Sequence, residues 1–547
     1  MKKLLNTHKL ILLNVLVVLA TVGVLFLHPG YLFFTDYVSG PHVKPHIESG
    51  LFLFDALFRF CSFVVPAALL QKIVLATVIA FLLYAGNKLG RLLSDRTGVV
   101  FLTGLFFVFN PFVYERMLYG QVGVLLGFAF LIIALAESVV VVRDKLPERL
   151  RHAGFFLGLS LLFSHHYLFI ASLIIVTGIA FFHKELILFL RETQWVKQFL
   201  IGIGLCLLVN LTWIGATIMP GYNLRTITQH ITVEDFKVFQ MSGHTSTEAL
   251  GLGILMSGFW GKDQYRFVDV TQNTHIWGRG FIILVPIFLM GIFALWHMRK
   301  GKKTVTSLLL IFCAALFLAL GIKGQVTAPF THWLIDHVPF YSGMRETSKW
   351  IAIVVIVYGV LLAAGLEMVA TRWKRGLVIG IFSLAGLAIL LQAPLMIGGF
   401  GGQVPPTQYP ADWYLADKVL NQENPRCESE TLFLPWHQYM SFRWLGRVVQ
   451  NPSHAFFTCP VVFGTNMEWG SIYDNSGNPV SAGITQWLSS KGTDNAAINN
   501  VLPKLRYIII AKELDWENVD TWLKIQPNIQ GLFDGPTIRV YAINRSE

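Results

Sequence analysis

Apolar runs of the length needed to cross a bilayer as a helix recur from the start of the chain to about residue 397. They occupy 10–27, 63–85, 98–113, 122–142, 199–219, 281–297, 305–321, 350–370 and 377–397, each near the roughly 17–25 residues that span a hydrocarbon core. A further stretch, 153–182, is interrupted by Ser164-His165-His166. As one helix it would carry three polar groups to mid-bilayer, and as two legs each half is short. Charge decides between these readings, because Lys and Arg concentrate in cytoplasmic loops. The basic clusters are Lys2/Lys3/Lys9, Lys88/Arg91/Arg96, Arg143/Lys145/Arg149/Arg151, Lys184/Arg191/Lys197, Arg299/Lys300/Lys302/Lys303 and Arg372/Lys374/Arg375. All six fall on one side only if 153–182 goes out and returns. The pattern therefore predicts eleven crossings, with a cytoplasmic N-terminus and an exterior C-terminus.

Composition agrees with this pattern: 54% of residues are hydrophobic, 14% are charged and the mean hydropathy is +0.56, far from soluble usage. The net charge of +11 is more than accounted for by the six loop clusters, which leaves the rest of the chain net acidic. The basicity is a topology signal, and a nucleic-acid partner is not expected. Residues 10–27 are longer than a usual signal-peptide core and are followed by His28-Pro29-Gly30 in place of a small-x-small cleavage pattern, so they read as an uncleaved anchor.

Polar and aromatic residues collect in the exterior pieces 28–62, 220–280 and 322–349 and in a tail over 399–547. The tail opens with the Gly/Pro-rich GGFGGQVPPTQYP and then changes character. TLFLPW (431–436), RYIIIAKEL (506–514) and TIRVYAI (537–543) read as strands, and 411–420, 495–502 and 517–525 as helices. The expected fold is an α-helical polytopic membrane module over 1–398 followed by an exterior soluble α/β domain over 399–547. Cys427 and Cys459 both lie in that exterior domain, where a disulfide is chemically permitted; the alternative is two buried free thiols.

The residue that singles itself out is Asp36 in HPGYLFFTDYVSGPHVKPH (28–46), directly after the first span. A carboxylate at a membrane surface can act as a base, with partial desolvation raising its pKa. Its bland reading is a turn residue leading into Ser39-Gly40-Pro41. Other positions carry resemblance besides chemistry: FNPFVYERMLYGQVGVLLG (109–127), FYSGMRETSKW (340–350), and YPADWYL with LFLPWHQY in the tail. In their order and placement these resemble the GT-C superfamily of integral-membrane glycosyltransferases, in the branch containing YfhO-type proteins and the large arabinofuranosyltransferases. The resemblance implies transfer of a sugar from a polyprenyl-phosphate carrier to an exterior glycan, glycolipid or protein acceptor in cell-envelope assembly. A transporter or flippase of lipid-linked sugars and a noncatalytic assembly protein are the alternatives.

Such a reaction needs one base for the acceptor hydroxyl and cations for the departing phosphate. Asp36 is the candidate base. Arg345 and Lys349, four apart and expected on one helix face, are the candidate phosphate ligands, with Arg116 as second choice in a segment read as ending the third span at Pro111. Snorkelling to ordinary headgroups is the competing role for Arg345 and Lys349. His165, His166, Tyr37 and Glu115 are candidate pocket residues, the histidine pair being costly at membrane depth unless it lines a cavity. Asp36, His42 and His46, with Glu48 nearby, form a candidate ligand set for a divalent metal ion, although Pro45 disfavours the helix that would align the imidazoles. LGLGILMSGFW (250–260) is too short to cross and reads as a surface or re-entrant helix in a loop with scattered acids and histidines, His275 among them. Trp413, Trp436, Trp444 and Trp469 read as core rather than a sugar platform. No nucleotide-binding or hydrolase motif is present, so energy would come from a pre-activated donor.

Overall fold

The computed structural model describes residues 2–45, 52–190, 192–218, 231, 233–269, 276–298, 301–465, 467–469, 472–474 and 479–544. Helices stand at every apolar run. The first nine in chain order are α1 (Lys2–Val22), α2 (Phe52–Cys61), α3 (Ala67–Arg91), α4 (Thr97–Val108), α5 (Pro111–Tyr119), α6 (Val122–Asp144), α7 (Arg149–Phe163), α8 (Tyr167–Leu190) and α9 (Thr193–Val209). Further long helices cover Ile276–Trp296, Gly301–Leu320, Ile351–Arg372 and Arg375–Gln392. Among the described residues, seven helical segments are long and apolar enough to span a bilayer, and α4 with α5 adds an eighth if that bent pair is one span. The chain is an integral membrane protein. The expected out-and-back stretch is two helices, α7 and α8, broken by Ser164-His165-His166.

Two departures from the expected pattern matter for the site. α4 ends at Val108, just ahead of Pro111, but Pro111 opens a second helix instead of a loop. Asn110 caps a new helix by accepting from the Val113 amide at 3.0 Å, and Pro111 occupies its first turn, where the missing N–H costs nothing. The chain bends by 44° there and continues as the wholly buried α5. The segment 340–350 is not one helix either. It forms two 3-10 turns, Tyr341–Met344 and Thr347–Trp350, with Glu346 in a non-helical conformation between them. Arg345 and Lys349 therefore do not share a helix face.

The tail contains the strands β1 (Glu430–Leu434), β2 (Tyr439–Phe442), β3 (Arg447–Gln450), β4 (Val461–Val462), β5 (Met467–Trp469), β6 (Ile472–Asp474), β7 (Leu505–Ala511), β8 (Ile529–Asp534) and β9 (Ile538–Ile543). Five of them form a mixed sheet in the order β4-β1-β7-β9-β8, while β2 pairs with β3 and β5 with β6 as separate two-stranded hairpins. β1 lies parallel to β7, pairing Leu432 with Ile508 and Leu434 with Ile510. Covered on both faces, these strands read as continuous apolar runs. One face packs on Trp413, which is 0% exposed and touches Phe433, Phe442, Phe456, Phe457 and Trp444. The other face meets Ile484, Trp487 and Trp522. Residues 411–423, 495–501 and 516–524 are helices, near the ranges read from the sequence, and Cys427–Cys459 is a disulfide.

The first loop is built into both parts of the molecule. Phe33 and Val38 belong to the tail's core, while Leu32 and Phe34 belong to the core of the helix bundle. The Gln71 amide of α3 holds the backbone N–H and C=O of Leu32 at 2.8 and 2.7 Å. On the other side, the Ser39 carbonyl accepts from the Tyr409 hydroxyl at 2.8 Å, and Lys44 donates to the carbonyls of Phe457 and Cys459, each at 2.7 Å. Gly40 permits this approach, because a Cβ there would lie 2.5 Å from the Ala455 carbonyl oxygen.

Candidate functional site

Asp36 sits where α5, the first loop and the tail meet. Its N–H donates to the Tyr119 carbonyl at the end of α5 at 2.8 Å, and the carbonyl of the preceding Thr35 accepts from the Gln450 amide of β3 at 2.8 Å. Gly120 makes the crossing possible. It adopts φ +93°, and a Cβ would lie 2.7 Å from both Phe34 and the Tyr37 backbone. Asp36 is thus clamped by its backbone between a membrane helix and a tail hairpin.

The carboxyl accepts from the Tyr439 hydroxyl at 2.8 Å and from the Gln121 side chain. Burial pushes its pKa up from 3.8 to about 7; Glu346 adds to the rise, while the hydrogen bonds from Tyr439 and Gln121 and the charge of Arg266 oppose it. Arg266 lies 5.4 Å over the Tyr439 ring. Burial, followed by the Asp36 charge, pushes the Tyr439 phenol well above its ordinary value, so it stays protonated and donates.

Gln121 is the junction to a cationic cluster. Its amide oxygen accepts from Arg116 at 2.7 Å, and its amide nitrogen donates to Glu346 at 3.2 Å. Arg116 is 1% exposed, donates to Ser348 Oγ at 3.1 Å, and stacks against Phe112 and Phe259 at 4.6 and 5.0 Å. Lys349 lies 3.4 Å from Glu346 and 3.1 Å from His166 Nε2. That nitrogen is also 3.1 Å from the Gly343 carbonyl, so it accepts from Lys349 in one tautomer and donates to Gly343 in the other. Arg345 lies 4.7 Å over Phe239 and near enough to Glu346 for its charge to act on that carboxyl. Burial opposes ionisation of Glu346, but Lys349, Arg116, Gln121 and Arg345 outweigh it and hold its carboxyl below the usual range. Around two carboxylates, then, stand Arg116, Lys349, Arg345 and Arg266. Such a surplus of cations suits an incoming anion such as a phosphate.

The remaining candidates divide. His166 joins the cluster through Lys349, and His165 stacks on it with ring centroids 4.5 Å apart. Glu115 faces another way: it accepts from the Ser257 hydroxyl and from the Phe259 amide at 3.2 Å, fastening the 250–260 segment onto α5. That segment is a helix, Ser246–Ile254, followed by an irregular turn against α5 rather than a free surface helix. Tyr37 packs on Phe34, and burial together with Asp55 pushes its phenol up. Only Asp36 and His42 of the candidate metal set are among the described residues. His42 Nε2 is 3.2 Å from the Thr458 hydroxyl and 4.0 Å from Asp417, because Gly40 and the Ala455 contact turn it toward the tail. His46, Glu48 and His275 lie outside the described residues. Among the described residues no three His, Cys, Asp or Glu side chains converge as a metal site requires. Sequence reasoning missed Tyr439, Gln121, Glu346 and Arg266. The first three stand inside the quoted motifs, but nothing local marks Arg266.

The helix bundle with its C-terminal sheet region shares its fold with a solved structure. It resembles the solved structure of the arabinofuranosyltransferase AftD from Mycobacteria with a TM-score of 0.58 and 13% identity, over 98% of this chain and 40% of that one. A mutant form of AftD matches with a TM-score of 0.53 and 13% identity, over 99% and 42%. ArnT from Cupriavidus metallidurans in the apo state matches over 98% of both chains, with a TM-score of 0.48 and 10% identity. The chain spans about two fifths of the length of AftD. No protein-family model matches it, nor does any curated protein sequence.

Proposed function

We propose that the protein is a membrane glycosyltransferase of cell-envelope glycan assembly. It moves a sugar from a polyprenyl-phosphate donor to an acceptor hydroxyl on the non-cytoplasmic side. The observation that carries this reading is the neutral-range carboxyl of Asp36, joined through Gln121 to Arg116 and Glu346, with Arg266 beside Asp36 and Lys349 and Arg345 beside Glu346. Asp36 takes the acceptor hydroxyl proton as the oxygen attacks the anomeric carbon. The bond from that carbon to the phosphate oxygen breaks, and polyprenyl phosphate leaves with the electron pair. Lys349, Arg345 and Arg116, the ligands read from sequence, hold the departing charge together with Arg266, and Glu346 keeps Arg116 and Lys349 in register. A base poised near neutral pH is the efficient choice for such a proton transfer. A single-base site implies inversion at the anomeric carbon.

The N-terminus is assigned to the cytoplasm, with 399–547 as an exterior domain and 1–398 as the membrane module crossing eleven times. The one-sided basic clusters support this orientation. So does the Cys427–Cys459 disulfide, which forms and persists in oxidising compartments.

The test is to supply the purified protein with a panel of labelled polyprenyl-phosphate sugars and compare wild type with Asp36→Asn. Product from wild type alone supports the assignment, and equal transfer by both forms removes Asp36 from the mechanism. Movement of the donor between leaflets without transfer would turn the reading to a flippase.

A further inference from the structure

We propose that Tyr439 is the positioning residue of the Asp36 base, and that the β2–β3 hairpin is thereby a working part of the transfer site. The inference rests on the glycosyl-transfer reading and adds a residue to it. Tyr439 reaches Asp36 across 403 positions of sequence with a 2.8 Å hydrogen bond. The same hairpin also fixes the base from behind, through the Gln450 amide on the Thr35 carbonyl. The hairpin is itself anchored, since Arg447 donates to the Gln403 carbonyl at 2.9 Å and the Arg443 amide to Glu513 at 3.0 Å. Donor, carboxyl and backbone therefore belong to one unit. The phenol occupies Oδ1 and leaves acceptor capacity on the second oxygen, which is what a base that must receive a proton in one direction needs.

A merely structural role for this hydroxyl is poorly motivated. The tail is tied to the first loop by Tyr409, Lys44 and the Tyr31–Thr407 bridge, so loss of one oxygen at Tyr439 removes no anchor of the fold. The groups facing the carboxyl are Tyr439, Gln121, Arg266, Glu346 and, through its phenol, Tyr119. Of these, Tyr439 holds it by direct hydrogen bond from the tail. A hydrogen bond to the charged form favours that form; deleting it makes Asp36 harder to ionise.

The experiment uses the purified full chain and two readouts. The first is the pH profile of transfer with whichever polyprenyl-phosphate sugar wild type accepts. The second is independent of activity: dicyclohexylcarbodiimide adds to protonated carboxyls, so its attachment at Asp36, mapped by mass spectrometry against pH, reports the titration directly. Tyr439→Phe is expected to move both midpoints up by about one unit, to lower kcat about tenfold at pH 7 with KM little changed, and to recover toward alkaline pH. Tyr409→Phe is expected to leave both midpoints in place. Should Tyr439→Phe fold poorly, 3-fluorotyrosine at the same position, a stronger donor of nearly the same shape, is expected to move the labelling midpoint down. An unmoved labelling midpoint in both Tyr439 variants overturns the proposal. A shifted labelling midpoint in a protein that transfers no sugar would uphold the positioning role and sink the transfer reading instead.

Discussion

Two short irregular segments at the same end of the bundle each carry one acid of the site. Residues 28–45 bring Asp36 and residues 340–350 bring Glu346, and Gln121 touches both. Asp36 meets a phenol, an amide and one guanidinium at a distance, so burial dominates and its pKa rises to about 7. Glu346 is also buried, yet Lys349, Arg116 and Arg345 overcome that cost and its pKa falls. What separates them is whether cations reach the carboxylate itself. Under the proposed function, two carboxylates pushed apart in this way take the separate roles of proton acceptor and fixed counter-charge.

The comparison can be broken most directly at Asp36. Asp36→Asn is expected to lower kcat for transfer by about 10²–10⁴-fold while donor binding, measured by equilibrium titration, stays near wild type. A comparable loss of donor affinity would make Asp36 a binding group and erase the contrast. Glu346→Gln is expected to act on the fold. Arg116 and Lys349 are 1% and 6% exposed at the side chain, and breaking a buried pair costs about 3–5 kcal/mol, visible as a lower melting temperature. Any activity that survives should show its acid limb at lower pH, because Glu346 raises the Asp36 pKa.

Lys349→Met probes the leaving-group side. Loss of a charge-assisted contact to phosphate is expected to raise KM for the donor roughly tenfold or more, read from initial rates over a donor series. In wild type, transfer should decline as pH falls through about 7, where Asp36 takes up its proton.

The smallest effect is on stability. A carboxyl whose folded pKa lies above its unfolded value of 3.8 stabilises the fold only while protonated, and that contribution is lost as pH rises from about 4 to 7. Asp36→Asn should therefore melt slightly higher than wild type at pH 8 and no higher at pH 4. A shift of the opposite sign would mean that the ionised carboxylate is favourably solvated.

Much of the site was legible in local patterns. Asp36 stood out as an acid directly after the first span, and Lys349 and Arg116 as cations in the motifs beside later spans, where a departing phosphate needs positive charge. Gln121 and Glu346 stood in the same motifs but carry no such signal, since an amide or a surface acid next to a Lys is ordinary. The shared helix face expected of Arg345 and Lys349 is absent because four-residue spacing puts side chains on one face only in an α-helix, and Glu346 interrupts the helix. For the metal set, sequence proximity of Asp36 and His42 says little once Gly40 packs against Ala455 and the chain turns toward the tail.

The sequence by itself determined the membrane character, the helices at each apolar run, three strands and three helices of the tail and the acid after the first span. These depend on hydrophobic period, run length and residue type, all properties of neighbours along the chain. Only the tertiary structure decided that Tyr439 and Arg266 flank Asp36, that Gln121 links it to Arg116, and that His42 turns away. Those meetings depend on which surfaces bury each other across hundreds of residues, and a hydrogen bond between positions 36 and 439 leaves no period or spacing in the chain to read.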